Sequence, residues 1–265
     1  MMAASMTSPR RTLAAATWLL ATATGVCAEP PASDPAGWPA LVRAGEAADA
    51  RLDPGRALQF YLQANAEHPN DPAILLKVAK AYSDSTLADA DRDENRRRMA
   101  AALECSRRAA QLKPHDPVAL LSVAVSYGKL GIYCDTGEKI KYARLVKDYA
   151  EQALAADPNY AYAHHVLGQW EYEVASLGRT KRFLVSIFYG GLPAASAAEG
   201  VRELERAVQL EPDTTSHHLA LGFAYLANGE CAKGRQCFER VLAMPCRELY
   251  DPDCHRQAEQ ALAGL

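Results

Sequence analysis

Ala64-Asn-Ala-Glu-His-Pro69-Asn-Asp-Pro72 decides the fold, because the chain closes a segment in this way four times. The pattern returns at Ala109-Ala-Gln-Leu-Lys-Pro114-His-Asp-Pro117, Ala153-Leu-Ala-Ala-Asp-Pro158-Asn-Tyr160 and Ala207-Val-Gln-Leu-Glu-Pro212-Asp213. Each copy sets an Ala five residues before a Pro, with Asn or Asp close behind. A small residue permits two helices to cross closely, and proline cannot continue a helix. The recurring closure therefore marks a helical repeat array, in which each unit packs on its neighbours. Arrays of this kind present surfaces to partners and rarely perform chemistry.

Working outward from the closures, helix pairs fill the chain from Trp38 onward. Leu41, Gly45, Ala57, Tyr61, Ala64 and Pro69 form the first unit. Leu75, Ala79 and Tyr82 open the second, and Ala102, Ala109 and Pro114 close it. Leu120, Ala124 and Tyr127 open the third, which closes with Ala153 and Pro158. Leu167-Gly168 opens the fourth, which closes with Ala207 and Pro212. Leu221, Gly222, Tyr225, the Asn228-Gly229 turn, Phe238 and Pro245 make the fifth. Asp251-Pro252 reads as an N-cap followed by proline at the first helical position, starting a terminal capping helix. The large, small, aromatic, proline order is the tetratricopeptide (TPR) pattern. The expected fold is all-α: a TPR-like right-handed superhelical solenoid of about five helix pairs plus a C-terminal capping helix.

The closing prolines at 69, 114, 158, 212 and 245 stand 45, 44, 54 and 33 residues apart. A regular TPR repeats every 34 residues or so, so repeats 2–4 carry insertions of about 10, 10 and 20 residues. The first, Ser83 to Arg98, is charged and extends the second helix of its unit. The second, Gly131 to Tyr142, leads into a long helix through Ala155. The third, Ala175 to Ala198, joins a basic start to an apolar run and a Gly-Gly-Leu-Pro turn.

These insertions carry a family resemblance. Gly131-Ile-Tyr-Cys-Asp-Thr-Gly-Glu-Lys-Ile-Lys-Tyr-Ala143, His165-Val-Leu-Gly-Gln-Trp-Glu-Tyr-Glu-Val-Ala175 and Lys181-Arg-Phe-Leu-Val-Ser-Ile-Phe-Tyr-Gly190 resemble the regulator of microtubule dynamics protein family. The resemblance covers about residues 72–262. It implies a TPR-like fold, a scaffold or adaptor role and no catalytic residues. It also implies an alternative, a membrane-anchored adaptor contacting cytoskeleton or membrane, since animal members are linked with microtubules and mitochondria.

Composition narrows the partners. The 265 residues are 49% hydrophobic and 23% charged, with formal charge −3. Residues 1–28 contribute only Arg10 and Arg11, which leaves 27 basic and 32 acidic residues beyond them, or −5. Nucleic acid is not an expected partner, because phosphate neutralisation needs a basic face. Arg10-Arg11, the uncharged run from Leu13 and the Val26-Cys-Ala28 ending read as a signal peptide over 1–28. A Pro/Ala/Ser/Asp linker over 29–37 and a repeat domain over 38–265 follow. The 16 residues from Leu13 to Ala28 span about 24 Å as a helix, short of the roughly 30 Å hydrocarbon core. The expectation is an exported protein, periplasmic or secreted, with an uncleaved anchor as the alternative. Six cysteines follow residue 28, and Cys246 and Cys254, which flank the link between the last two helices, are the expected disulfide pair.

Inner-face positions of the first helices place Lys80, Lys129, His165, Gln169, Tyr172 and Glu173 in the groove, where a protein or peptide partner would bind. Lys181, Arg182, Phe183 and Phe188 of the third insertion form a second contact surface. Either it packs across the concave face of the array, or it lies on a membrane surface or partner. His164-His165 and His217-His218 are adjacent on helices and face different ways, so neither pair chelates. His164 and His218 take the large position of their helices. No nucleophile with a matched base, acid/base carboxylate pair or zinc spacing occurs. The reading is not an enzyme, with no metal and no cofactor, and an enzyme with a cryptic site in the groove is the remaining alternative.

Overall fold

Each closure motif ends one helix, and the first two also cap the next. In the computed structural model, which describes residues 37–87 and 91–265, Asn70 adopts φ 65°. The Asp71 carboxylate then accepts from the N–H groups of Ala73 and Ile74 at 2.8 and 3.1 Å. Pro72 sits in the first turn, where no donor is needed. Asp116 repeats the arrangement toward Val118 and Ala119 at 2.9 and 3.2 Å, ahead of Pro117. The fourth and fifth units lack the Asp-Pro pair, and histidine ties the corner instead. His164 Nε2 donates to the Pro158 carbonyl at 3.0 Å, and His218 Nε2 donates to the Pro212 carbonyl at 2.8 Å.

Among the described residues the helices are α1 (Trp38–Asp49), α2 (Pro54–Glu67), α3 (Pro72–Ser85), α4 (Arg92–Leu112), α5 (Pro117–Gly131), α6 (Thr136–Ala156), α7 (Ala161–Ala175), α8 (Arg179–Tyr189), α9 (Ala197–Leu210), α10 (Thr215–Ala227), α11 (Cys231–Ala243) and α12 (Asp251–Ala263). No strand occurs among them. The pairs α1/α2, α3/α4, α5/α6, α7/α9 and α10/α11 are the five repeats, and α12 caps the end against α10 and α11. The stack is a TPR-like right-handed superhelical solenoid. The first two insertions lengthen α4 and α6 to 21 residues each, and the third forms α8 between the two helices of repeat 4.

The core follows the small-against-large register. Tyr61 and Phe238 are fully buried beneath Gly45 and Gly222, whose missing Cβ atoms leave room for the rings. At the α7–α9 crossing two glycines face each other. A Cβ on Gly168 would lie 2.7 Å from Leu204 Cγ and 2.9 Å from the Gly200 carbonyl. Between α4 and α5 the small slots are serines: Ser106 Oγ lies 2.7 and 3.0 Å from the hydroxyls of Ser122 and Ser126.

The expected signal segment 1–28 and the linker up to residue 36 lie outside the described residues. Among the described residues no helix is long and apolar enough to cross a membrane. Asp251, expected as the N-cap of the last helix, is instead its first residue, following Tyr250. Its carboxylate reaches back to accept from Arg247 N and Glu248 N at 2.8 and 2.7 Å. It therefore shapes the preceding loop rather than the helix terminus.

A concave groove closed by the C-terminal loop

Inner-face residues of α3, α5, α7 and α10 surround a cavity of about 1270 Å³. The extended half of α6 borders it through Tyr142 and Val146. The sixth side is the 245–250 loop between α11 and α12, which ends in Tyr250. The Tyr250 hydroxyl donates to Asp84 Oδ1 at 2.7 Å, joining residues 166 apart in the chain. Lys129 Nζ donates to that hydroxyl at 2.7 Å and to Ser83 Oγ at 2.6 Å, and it lies 4.6 Å from the Tyr250 ring centroid. Lys80 Nζ takes the other Asp84 oxygen at 2.6 Å. One carboxylate thus accepts from a lysine and a phenol, and the phenol in turn accepts from Lys129. Burial lowers the Lys129 ammonium below its usual range, and Asp84 opposes that. Burial also pulls Lys80 down, but Asp84 and Asp49 outweigh it and its pKa is raised. Tyr250 is pushed up by burial and by the Asp84 charge.

Five of the six residues expected in the groove line this cavity: Lys80, Lys129, His165, Gln169 and Glu173. Gln169 Nε2 donates to Glu173 Oε1 at 2.7 Å, and the groove walls still hold the Glu173 carboxyl above its usual range. Tyr172 is the exception. It packs between α7 and α9 beside Val201 and Leu204, over the Gly200 backbone. Counting from His165, residues 169 and 173 turn about 40° and 80° toward the cavity, whereas 172 turns about 20° the other way.

His165 meets His217 of α10, with Nδ1 atoms 3.1 Å apart. Burial lowers His165 to about 4 and His217 to about 3, with His165 and His218 adding to the latter. Both rings are therefore neutral at neutral pH, and the 3.6 Å approach of His217 Nε2 to Glu211 is no ion pair. That distance is also too long for a hydrogen bond, so Nε2 is buried without one. His164, by contrast, holds Glu203 Oε2 at 2.6 Å across the α7–α9 crossing. Trp170 donates to the Ala143 carbonyl at 2.7 Å and is core.

The third insertion does not enter the cavity. Its helix α8 packs on α6, and its tail is pinned beyond it. Arg144 grips the carbonyls of Tyr189 and Gly191, while buried Glu171 accepts from Ser196 N at 3.0 Å and from Lys147 at 2.7 Å. Lys181 is exposed and Phe188 is 68% exposed. The side chains of Arg182 and Phe183 lie outside the described residues. Cys246 and Cys254, the expected pair, are free thiols in the structure. Cys254 is buried against Phe238 and Val241, and Cys246 is exposed with Sγ 3.8 Å from His255 Nδ1. Among the described residues no group of three or more His, Cys, Asp or Glu side chains is placed to hold a metal ion.

The helix pairs and their inner cavity define the class: a TPR-type repeat protein. The solved structure of a thermophilic TPR protein from Thermus thermophilus superposes with TM-score 0.62 at 20% identity, over 86% of this chain and 100% of that one. Within that class, the family profile described as regulator of microtubule dynamics protein 1-3 matches residues 43–265, and the chain belongs to this family. Regulator of microtubule dynamics protein 1 of Bos taurus is 27% identical over 223 residues, covering 83% of this chain and 70% of the relative. The Mus musculus protein of the same name is 24% identical over 221 residues, 82% of this chain and 72% of the relative.

Proposed function

We propose that the protein is an exported, non-enzymatic scaffold that receives an extended peptide segment of a partner protein in the groove. The carrying observation is the cavity itself. At about 1270 Å³ it exceeds the usual volume of small-molecule pockets, roughly 300–1,000 Å³. Its wall alternates hydrogen-bonding side chains (Gln169, Glu173, Lys129) with apolar ones (Val125, Val166). Such a wall suits a peptide backbone flanked by small apolar side chains. Tyr250 borders one side of the groove and leaves the rest of its mouth open to a partner. Membership of the family and the TPR fold support a protein-interaction role.

Selection of a displayed peptide library on the purified protein tests the reading. Peptides that bind the wild type are expected to weaken at least tenfold with Gln169→Ala or Lys129→Met. Selected peptides indifferent to both replacements would reject the groove as the site.

A further inference from the structure

The third insertion is basic although the chain is acidic. The chain carries −3 overall, yet residues 174–198 hold Arg179, Lys181 and Arg182 and not one Asp or Glu, a local +3. All three basic residues fall in the first turn or so of α8. The rest of that helix exposes Leu184 (46%), Ile187 (57%), Phe188 (68%) and Tyr189 (42%). Leu184, Ile187 and Phe188 are spaced i, i+3, i+4 and share one face, with Lys181 one turn earlier on the same line. The other large apolar residues exposed among the described ones, such as Leu52, Val118 and Ile132, are scattered singly over separate elements. No described residue of α8 is buried, and its 11 residues extend about 16 Å.

Two anchors hold this helix in place without covering it. Arg144 clamps its C-terminal end, where Tyr189 also meets Gly137 of α6, and Glu171 holds Ser196 beyond the turn. Asp135 and Glu138 lie on either side of Gly137 at that anchored end, opposite the basic turn. The helix thus presents an apolar face with a cationic end, on a protein that is otherwise acidic.

We propose that α8 is a membrane-surface helix that docks the solenoid on an anionic bilayer. Leu184, Ile187 and Phe188 enter the headgroup–acyl boundary, and the basic first turn meets the lipid phosphates. The charge pattern selects this occupant. A second copy of this acidic chain would gain from the basic turn alone, whereas an anionic bilayer matches the cationic end and the apolar face together. The helix does not span the bilayer, because 11 residues are too few. This surface is separate from the groove and does not depend on peptide binding there.

Vesicle flotation of the purified protein decides it, using phosphatidylcholine vesicles with and without phosphatidylglycerol. The wild type is expected to float with the anionic vesicles and to stay behind with the neutral ones. Ile187→Ser with Phe188→Ser should abolish flotation. Lys181→Glu should weaken partitioning about fivefold or more, as should raised salt. These positions are exposed, so unchanged thermal melting of each variant confirms that the fold is intact. Failure of the folded wild type to float on anionic vesicles would overturn the proposal. So would flotation that ignores the Ile187/Phe188 replacement, or self-association lost with that replacement in the absence of lipid.

Discussion

Gly168 carries the register of the array at the scale of a single residue. Its missing Cβ lets α7 and α9 approach until the Gly200 carbonyl fills the space. Gly168→Leu should cost about 1–3 kcal/mol or more in urea unfolding, because the helices must separate. An unchanged midpoint would contradict the assigned crossing. The glycine was legible from sequence because the small position recurs at Gly45, Ala79, Ala124 and Gly222. The His165–His217 pair was not legible, because the two residues come together only through the packing of α7 on α10. Burial holds both imidazoles well below the ordinary value, at about 4 and about 3. The unfolded chain binds protons below pH 6.5 while the folded one does not. Their contribution is therefore complete above pH 6.5 and lost as pH falls toward 4 and below. At pH 5 the loss is about 2 kcal/mol per histidine. Comparing urea unfolding at pH 7 and pH 5, His217→Leu should show a smaller acid loss than the wild type. Equal losses would mean that His217 is not the sensitive group.

The loop between α11 and α12 is the decisive feature at the scale of elements. Helix boundaries followed from Ala-Pro spacing, and the unequal intervals located all three insertions. The 245–250 closure left no periodic trace, since a contact across 166 residues between a tyrosine and an aspartate follows no repeat. The same limit explains the third insertion. Its apolar face suggested a filler for the groove, yet Arg144 and Glu171 fix it on the α6 and α7 side, away from the cavity. Asp251 holds the Arg247 and Glu248 amides of the loop, and Tyr250 ties it to the groove through hydrogen bonds to charged partners worth about 2 kcal/mol. Tyr250→Ala should speed amide exchange of residues 246–250 by roughly thirtyfold and increase trypsin cleavage after Arg247. Unchanged exchange would show that the loop is held elsewhere.

At the scale of the whole molecule, the repeat array carries two proposed binding surfaces and follows a proposed export signal. The proposed export predicts a mature protein beginning at Glu29, and N-terminal sequencing of the natural product reads this directly. A start that retains residues 1–28 would favour the anchored form. The groove is the centre of the account, and its test places a photo-crosslinking amino acid at one position at a time in the native compartment. Position 169 faces the cavity, and position 152 is exposed on α6 outside it. Adducts with a partner protein from position 169, absent from position 152 and increased by Tyr250→Ala, are the predicted result. Adducts from position 152 with none from position 169 would contradict the groove as the site of partner binding.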